Sequence, residues 1–476
     1  MSVLRKLLFG LFFASAVWAQ SQTDVLAEMA RLEASGRYLE AEKVAAKALG
    51  GKSVDDHDPV SFAAERLSRL RREYALSREK LIAQLVDALD GFTPEEFDRF
   101  DRDGRFDKRT IDGKVGYAGA SRSNLFFRYP ELEKRRKTRR DGGFAKLLTD
   151  HIERVREAAK DGGRYVLPEA WRATMTVTVE KDAVAAGKTV RCWLPLPRRL
   201  AHQSPGEIVD ATPAAQAGGA EEPMRAAYFE QAARPGAPTE FKMSYRYETR
   251  AVAPFAKLGV APPPLAAAER GRFLAEAPPH VVFTPEIVAL AASFDRPGLS
   301  PSAKARAAYD WIGESIKYSY AIEYSTTPNI SQATLERGWG DCGEAALLFI
   351  TLCRKLGVPA RWQSGWASWP GHETMHDWAE IWLDGEGWCP VDPYMAMFAK
   401  GCDAAAKATI RDFYFGGLDH WRMIANSDHG VPLSPPKPSL RSDTVDFQRG
   451  EVECDGKNIY YDRFRYRLAF EKDVRP

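Results

Sequence analysis

Cysteine and histidine are scarce in this sequence. Six cysteines and eight histidines are spread over 476 residues. That is too few for the dense disulfide framework that staples small secreted domains. A zinc site drawn from Cys342, His372, His376 and Cys389 is chemically conceivable and is set aside, so neither a metal nor another cofactor is expected. Charge of one sign is also missing, with 67 basic residues against 65 acidic ones. A neutral chain argues against nucleic acid or an anionic membrane as the main partner. The basic run from Lys134 to Arg140 is the local exception and reads as a solvated helix end. An EF-hand is excluded in the acidic stretch Asp98 to Asp107. With Gly104 in its turn position, the first ligand would be Arg99 and the twelfth Thr110.

Long apolar runs are confined to the start of the chain. Arg5 and Lys6 precede the apolar segment Leu7 to Val17, and Val17-Trp18-Ala19 has the form of a cleavage site. Residues 1–19 therefore read as a secretory signal, too short for a stable membrane span. The expected location is the periplasm or the extracellular space, with no integral span once the signal is removed. Export permits disulfides, and Cys389 with Cys402 is a conceivable pair by proximity.

Residues 20–165 read as mostly helical. Leu32 to Ala41 resembles one tetratricopeptide-type hairpin, with no second copy following. Thr93-Pro94 is a cap followed by proline at the first helical position. Residues 166–262 look like an antiparallel β domain. Ala173 to Val179 and Thr189 to Leu194 read as strands, and Phe241, Met243, Tyr245 and Tyr247 alternate with polar residues. Ala211 to Pro238 reads as a loop. Helices return at Thr284-Pro285 and Ser300-Pro301, within a compact region at 270–400. After Asp392-Pro393 the chain looks irregular. The extension 401–476 ends in two or three strands expected to pack on that region. The class predicted is α+β.

One stretch organises the rest: Gly338-Trp-Gly-Asp-Cys-Gly-Glu-Ala-Ala-Leu-Leu-Phe349. Asp341 is placed to cap a helix, and Glu344 completes an Asp version of the capping box. Cys342 falls in the first turn, where free amides and the helix dipole favour a thiolate. His376 opens the strand-like run that ends at Leu383. Asp392 follows the next run, Gly387 to Val391, across the turn Asp384-Gly-Glu-Gly387. Two antiparallel strands would set His376 beside Asp392, with the imidazole between thiolate and carboxylate, as nucleophilic catalysis requires. His372 is a rival base in the Pro370-Gly371 loop. An acyl intermediate also needs an oxyanion donor. Candidates are the Cys342 amide and the side chains of Trp339, Gln332 and Tyr318. Glu380 is left outside the triad.

Gly340-Asp-Cys-Gly-Glu344, Leu356-Gly-Val-Pro-Ala-Arg361, His376-Asp-Trp-Ala-Glu380 and Trp388-Cys-Pro-Val-Asp-Pro393 together resemble the bacterial transglutaminase-like core, over about 300–400. The resemblance implies a papain-like thiol fold, with Cys342 as nucleophile, His376 as base then acid, and Asp392 as orienter. It further implies attack on an amide or peptide carbonyl through a thioester. Hydrolysis is expected, with protein-glutamine transamidation as the alternative. The implied substrate is a protein or peptide, cell-wall peptides included. A non-catalytic exported binding or scaffold protein is the rival class.

Overall fold

The computed structural model describes residues 22–50, 58–138, 143–438 and 440–473. The signal segment and the end of the basic run lie outside them. The chain forms two compact units, Met1–Thr138 with Pro438–Arg441, and Arg139–Lys437 with Ser442–Pro476.

The first unit is mainly helical. A helix over 22–34 turns into the helix Tyr38–Leu49 through Gly36, whose φ is +74°. A Cβ on Gly36 would lie 2.8 Å from the Thr110 carbonyl oxygen, so this turn needs glycine for space as well as for conformation. Tyr38 and Ala41 face inward, as a helical hairpin requires. Pro94–Arg102 begins at the Thr93 cap, and the ribbon Lys108–Ile111 with Lys114–Tyr117 follows. Phe97, Phe106 and Tyr117 pack ring on ring at its centre.

The second unit holds two antiparallel sheets and a third, four-stranded one on which the cysteine helix packs. Tyr165–Val179 pairs with Thr239–Val252, and Thr189–Pro195 pairs with Ala226–Ala232. The segment read as a loop thus contains a strand, in which Ala226, Ala227 and Phe229 are buried. The C-terminal strands join these sheets, and Tyr466 and Phe470 of the last one also meet Trp366 of the cysteine region. Glu451–Cys454 pairs with Thr189–Pro195, and Phe464–Lys472 pairs with Tyr165–Val179. Alternation marks a strand but does not choose its partner. The helix Gly143–Gly162 also packs in this unit, against Tyr165–Val179 and Ala404–Phe413.

Around the cysteine the elements are helix α1 (Cys342–Lys355), strands β1 (Ala360–Ala367), β2 (Thr374–Leu383) and β3 (Gly387–Val391), helix α2 (Pro393–Ala399) and strand β4 (Arg422–Asn426). The sheet order is β3-β2-β1-β4, antiparallel throughout. α1 is buried from Gly343 to Arg354. Ala346, Leu347, Phe349 and Ile350 share an apolar core with Trp362, Ala379, Ile381 and Val391 of the sheet. The chain after Asp392 is therefore not irregular: it supplies α2, the helix Ala404–Phe413 and the edge strand β4. Gly365 lets β4 approach, since a Cβ there would meet the Met423 carbonyl oxygen at 1.8 Å. The caps at Thr284 and Ser300 form as expected, each accepting from the third amide of its helix.

Candidate active site

α1 begins as the sequence requires. Asp341 accepts from the Glu344 amide at 3.0 Å, and Glu344 accepts from the Asp341 amide at 3.3 Å. Arg337 anchors Glu344 through an ion pair at 2.6 Å. These bonds fix the first turn and hold Cys342 at the helix mouth.

β2 and β3 pair from Leu383↔Gly387 back to Ala379↔Val391, so their far ends converge on His376 and Asp392. His376 Nε2 lies 2.8 Å from Asp392 Oδ2. Asp392 is also the cap of α2 and accepts from the Met395 amide at 3.3 Å. Burial works to raise the Asp392 pKa, but His376 and Arg422 outweigh it and hold the carboxyl below its ordinary value. The anion can only accept, so Nε2 carries the proton and Nδ1 is the basic nitrogen. Burial keeps His376 below its ordinary value despite Asp392, which leaves the ring neutral. Trp369, Trp378 and Tyr394 enclose it, with ring centroids at 5.2, 5.8 and 5.1 Å.

Cys342 meets the residue after that histidine. Its Sγ lies 3.6 Å from Asp377 Oδ2. Asp377 is held by Gln448, whose Nε2 donates to Oδ1 at 2.6 Å, and by the Tyr324 hydroxyl at 3.2 Å. Tyr324 also reaches Asp341 at 2.8 Å. Burial, then Asp377 and Asp341, push the Cys342 thiol well above its ordinary value. The helix dipole, which favours a thiolate, is thus opposed by desolvation and by two carboxyl groups. Burial in turn raises Asp377 to about 7.

The remaining expectations separate. Gln332 is turned to other work: its amide donates to Glu286 and Glu336 and accepts from Thr284. Trp339 lies in a short strand paired with Lys317, and Tyr318 stacks edge-on against Tyr394 at 5.1 Å. Glu380 pairs with Arg361 across β1 and β2 at 2.7 Å, a register contact. All six cysteines are free, Cys389 and Cys402 included. His372-Glu-Thr-Met-His376 has the letters of a zinc-binding H-E-x-x-H, which needs a helix to align its histidines. Here His372 is exposed in the turn before β2 and packs on Phe144, while His376 is buried in the strand. Among the described residues no group of acidic, histidine and cysteine side chains is placed to hold a metal ion.

Residues 288–393 match the family model of the Transglutaminase-like superfamily. This segment is a transglutaminase-like domain. The transglutaminase-like match encloses Cys342, His376 and Asp392. An uncharacterized protein, YebA, of Bacillus subtilis (strain 168) is 26% identical over 135 residues, which are 24% of this chain and 18% of that protein. The chain thus matches under a fifth of the length of that relative. Among solved structures, one from Cytophaga hutchinsonii described as a candidate cysteine protease has 17% identity and a TM-score of 0.42. It covers 66% of this chain and 95% of its own. The periplasmic domain of TgpA from Pseudomonas aeruginosa has 15% identity and a TM-score of 0.25, covering 56% of this chain and 96% of its own. Around the transglutaminase-like domain the chain is α+β, with helices in its N-terminal part and antiparallel sheets beside the core.

Proposed function

We propose that the chain is an exported thiol enzyme that attacks an amide or peptide carbonyl and hydrolyses the resulting thioester. The 2.8 Å bond between His376 and Asp392 carries this reading. It orients a neutral imidazole with Nδ1 as acceptor, on the strand whose next residue touches Sγ. Cys342 is the nucleophile. Its proton passes to His376 Nδ1 as sulfur bonds to the carbonyl carbon, so the thiol need not ionise at rest. The imidazolium, stabilised by Asp392, then returns the proton to the leaving amine. Water, deprotonated by the same nitrogen, cleaves the thioester to carboxylate and regenerated thiol.

Two first-turn amides serve the oxyanion. Helices leave their first amides without internal acceptors. Glu344 donates to the cap side chain and Ala345 to the cap carbonyl, which leaves Cys342 and Gly343 at the open end. The Trp339 side chain is a further candidate donor. The substrate class is protein or peptide, cell-wall peptides included.

The test uses an electrophilic peptide trap and a fluorescent amine. The wild type should be labelled at Cys342 and release carboxylate from a peptide, while Cys342→Ala and His376→Ala should do neither. Faster incorporation of the amine than release of carboxylate would replace hydrolysis by transamidation. Labelling that survives in Cys342→Ala would remove the enzyme reading and leave a binding protein.

A further inference from the structure

We propose that Arg422 and Asp419 form a buried charge relay behind Asp392, positioning residues that set the proton affinity of His376. This rests on the reading of His376 as the base. Arg422 comes from β4, which the sequence did not reveal as a strand. Its guanidinium is fully buried, with Nη2 2.9 Å from Asp392 Oδ2, the same oxygen that bonds His376. Its Nε lies 3.0 Å from Asp419 Oδ2. The cation stacks on Trp369 at 4.6 Å and Trp378 at 5.0 Å, the two indoles that also enclose His376. Asp419 is tied by several hydrogen bonds. Its Oδ2 accepts from Trp369 Nε1 at 3.2 Å and Tyr414 at 2.9 Å, and its Oδ1 accepts from the Trp421 amide at 3.0 Å. The row runs His376, Asp392, Arg422, Asp419, alternating in sign beyond the imidazole.

Stability alone gives no reason for it. Taking an arginine and a second carboxylate out of water costs several kcal/mol per ion, and apolar replacements of similar size are often at least as stable. What the pair does is local. Arg422 pairs by charge with the oxygen that accepts from His376, so it draws charge away from the bond that stabilises imidazolium. Asp419 draws Arg422 back. The titratable and charged groups around His376 are Asp392 at the start of α2, Tyr394 of α2, Arg422 of β4 and Asp419 before it. Arg422 disfavours the protonated ring, and Asp392 and Asp419 favour it. A base that must be neutral before it accepts the thiol proton is served by that balance.

The two residues therefore make opposite predictions, which a merely structural role would not. The measurement is an NMR titration of the full chain labelled in histidine, with the His376 signal identified by its loss in His376→Gln. Arg422→Gln should raise the His376 midpoint, and Asp419→Asn should lower it, each by about one pH unit for a charge at this range. Arg422→Lys should leave it nearer the wild type than Arg422→Gln does. Midpoints that move together, or stay in place while the protein remains folded, would overturn the proposal. If Arg422→Gln does not fold, Asp419→Asn decides alone: a fall supports the relay, and no change or a rise refutes it. The titration needs no turnover, so a protein inactive toward every peptide would defeat the proposed function without touching this result.

Discussion

The hydrogen of the Cys342 thiol is directed at Asp377, the neighbour of His376 on β2, across 3.6 Å. A carboxylate so close to sulfur disfavours the thiolate. Burial sets Asp377 near 7, so the carboxylate is charged above that pH and neutral well below it. Asp377→Asn should then lower the Cys342 pKa, and the effect should be confined to the alkaline side. Alkylation by iodoacetamide at pH ~8 should be about 3- to 10-fold faster than in the wild type, because the rate follows the thiolate fraction. The two rates should converge toward pH ~5, where Asp377 is protonated in the wild type. Equal rates at both pH values would mean that Asp377 does not act on the thiol.

Gly343 is required for space and not for backbone freedom. An added Cβ would lie 2.1 Å from the Tyr324 hydroxyl and 2.7 Å from Asp377 Oδ2. Neither group can withdraw without breaking its bond to Asp341 or Gln448. Gly343→Ala gains helix propensity but overpacks the helix mouth, at a net cost of about 1–3 kcal/mol. The urea midpoint should fall accordingly. Displacing Cys342 by about 1 Å should lower turnover about 100-fold. A variant with unchanged stability and turnover would show that the mouth of α1 can open.

How much was legible follows from how local each cause is. The capping box at Asp341 and Glu344, the stop after α1, and the turn joining β2 to β3 are set by neighbours in sequence, and each formed as read. The pairing of His376 with Asp392 followed from hairpin register, which is almost as local. Arg422 was not legible, because a strand reading Arg-Met-Ile-Ala-Asn gives no sign that its arginine is buried between indoles. Asp377 and Gln448 were missed for the same reason: their partners come from distant segments. The thiolate favoured by a local effect, the helix dipole, is opposed by two non-local ones, burial and carboxyl groups. Gln332 failed because its amide found Glu286 and Glu336 instead.

Gly365 links the sheet to the row of charges behind Asp392. β1 and β4 shift register between Ser364 and Gly365, and a side chain there would occupy the Met423 carbonyl. The adjacent residue on β4 is Arg422. Gly365→Ala should therefore loosen β4, cost about 2 kcal/mol or more, and detach Arg422 from Asp392. Thermal unfolding and the His376 titration would both report it. A destabilised variant whose His376 midpoint stays unmoved would show that β4 can slip while Arg422 keeps its place.

His151 predicts how the protein responds to acid. It projects from the helix Gly143–Gly162 onto Trp421 and His420, with ring centroids at 4.2 and 4.6 Å. Neither ring nitrogen has a hydrogen-bond partner. Burial lowers its pKa to about 4. In the unfolded chain a histidine titrates near ~6.5, so the unfolded state binds the proton first. The stability owed to a neutral His151 is therefore present above pH ~6.5 and is lost as pH falls toward 4. His151→Phe keeps the ring, removes two unpaired polar atoms, and removes this source of acid sensitivity. It should unfold at higher urea than the wild type at pH 7, by about 1 kcal/mol or more. The gap should widen by a further 1–3 kcal/mol, about 1.4 for each pH unit of that window, between pH 6.5 and 4.5. A constant gap across that range would mean that His151 takes up its proton in the folded state as readily as in the unfolded one.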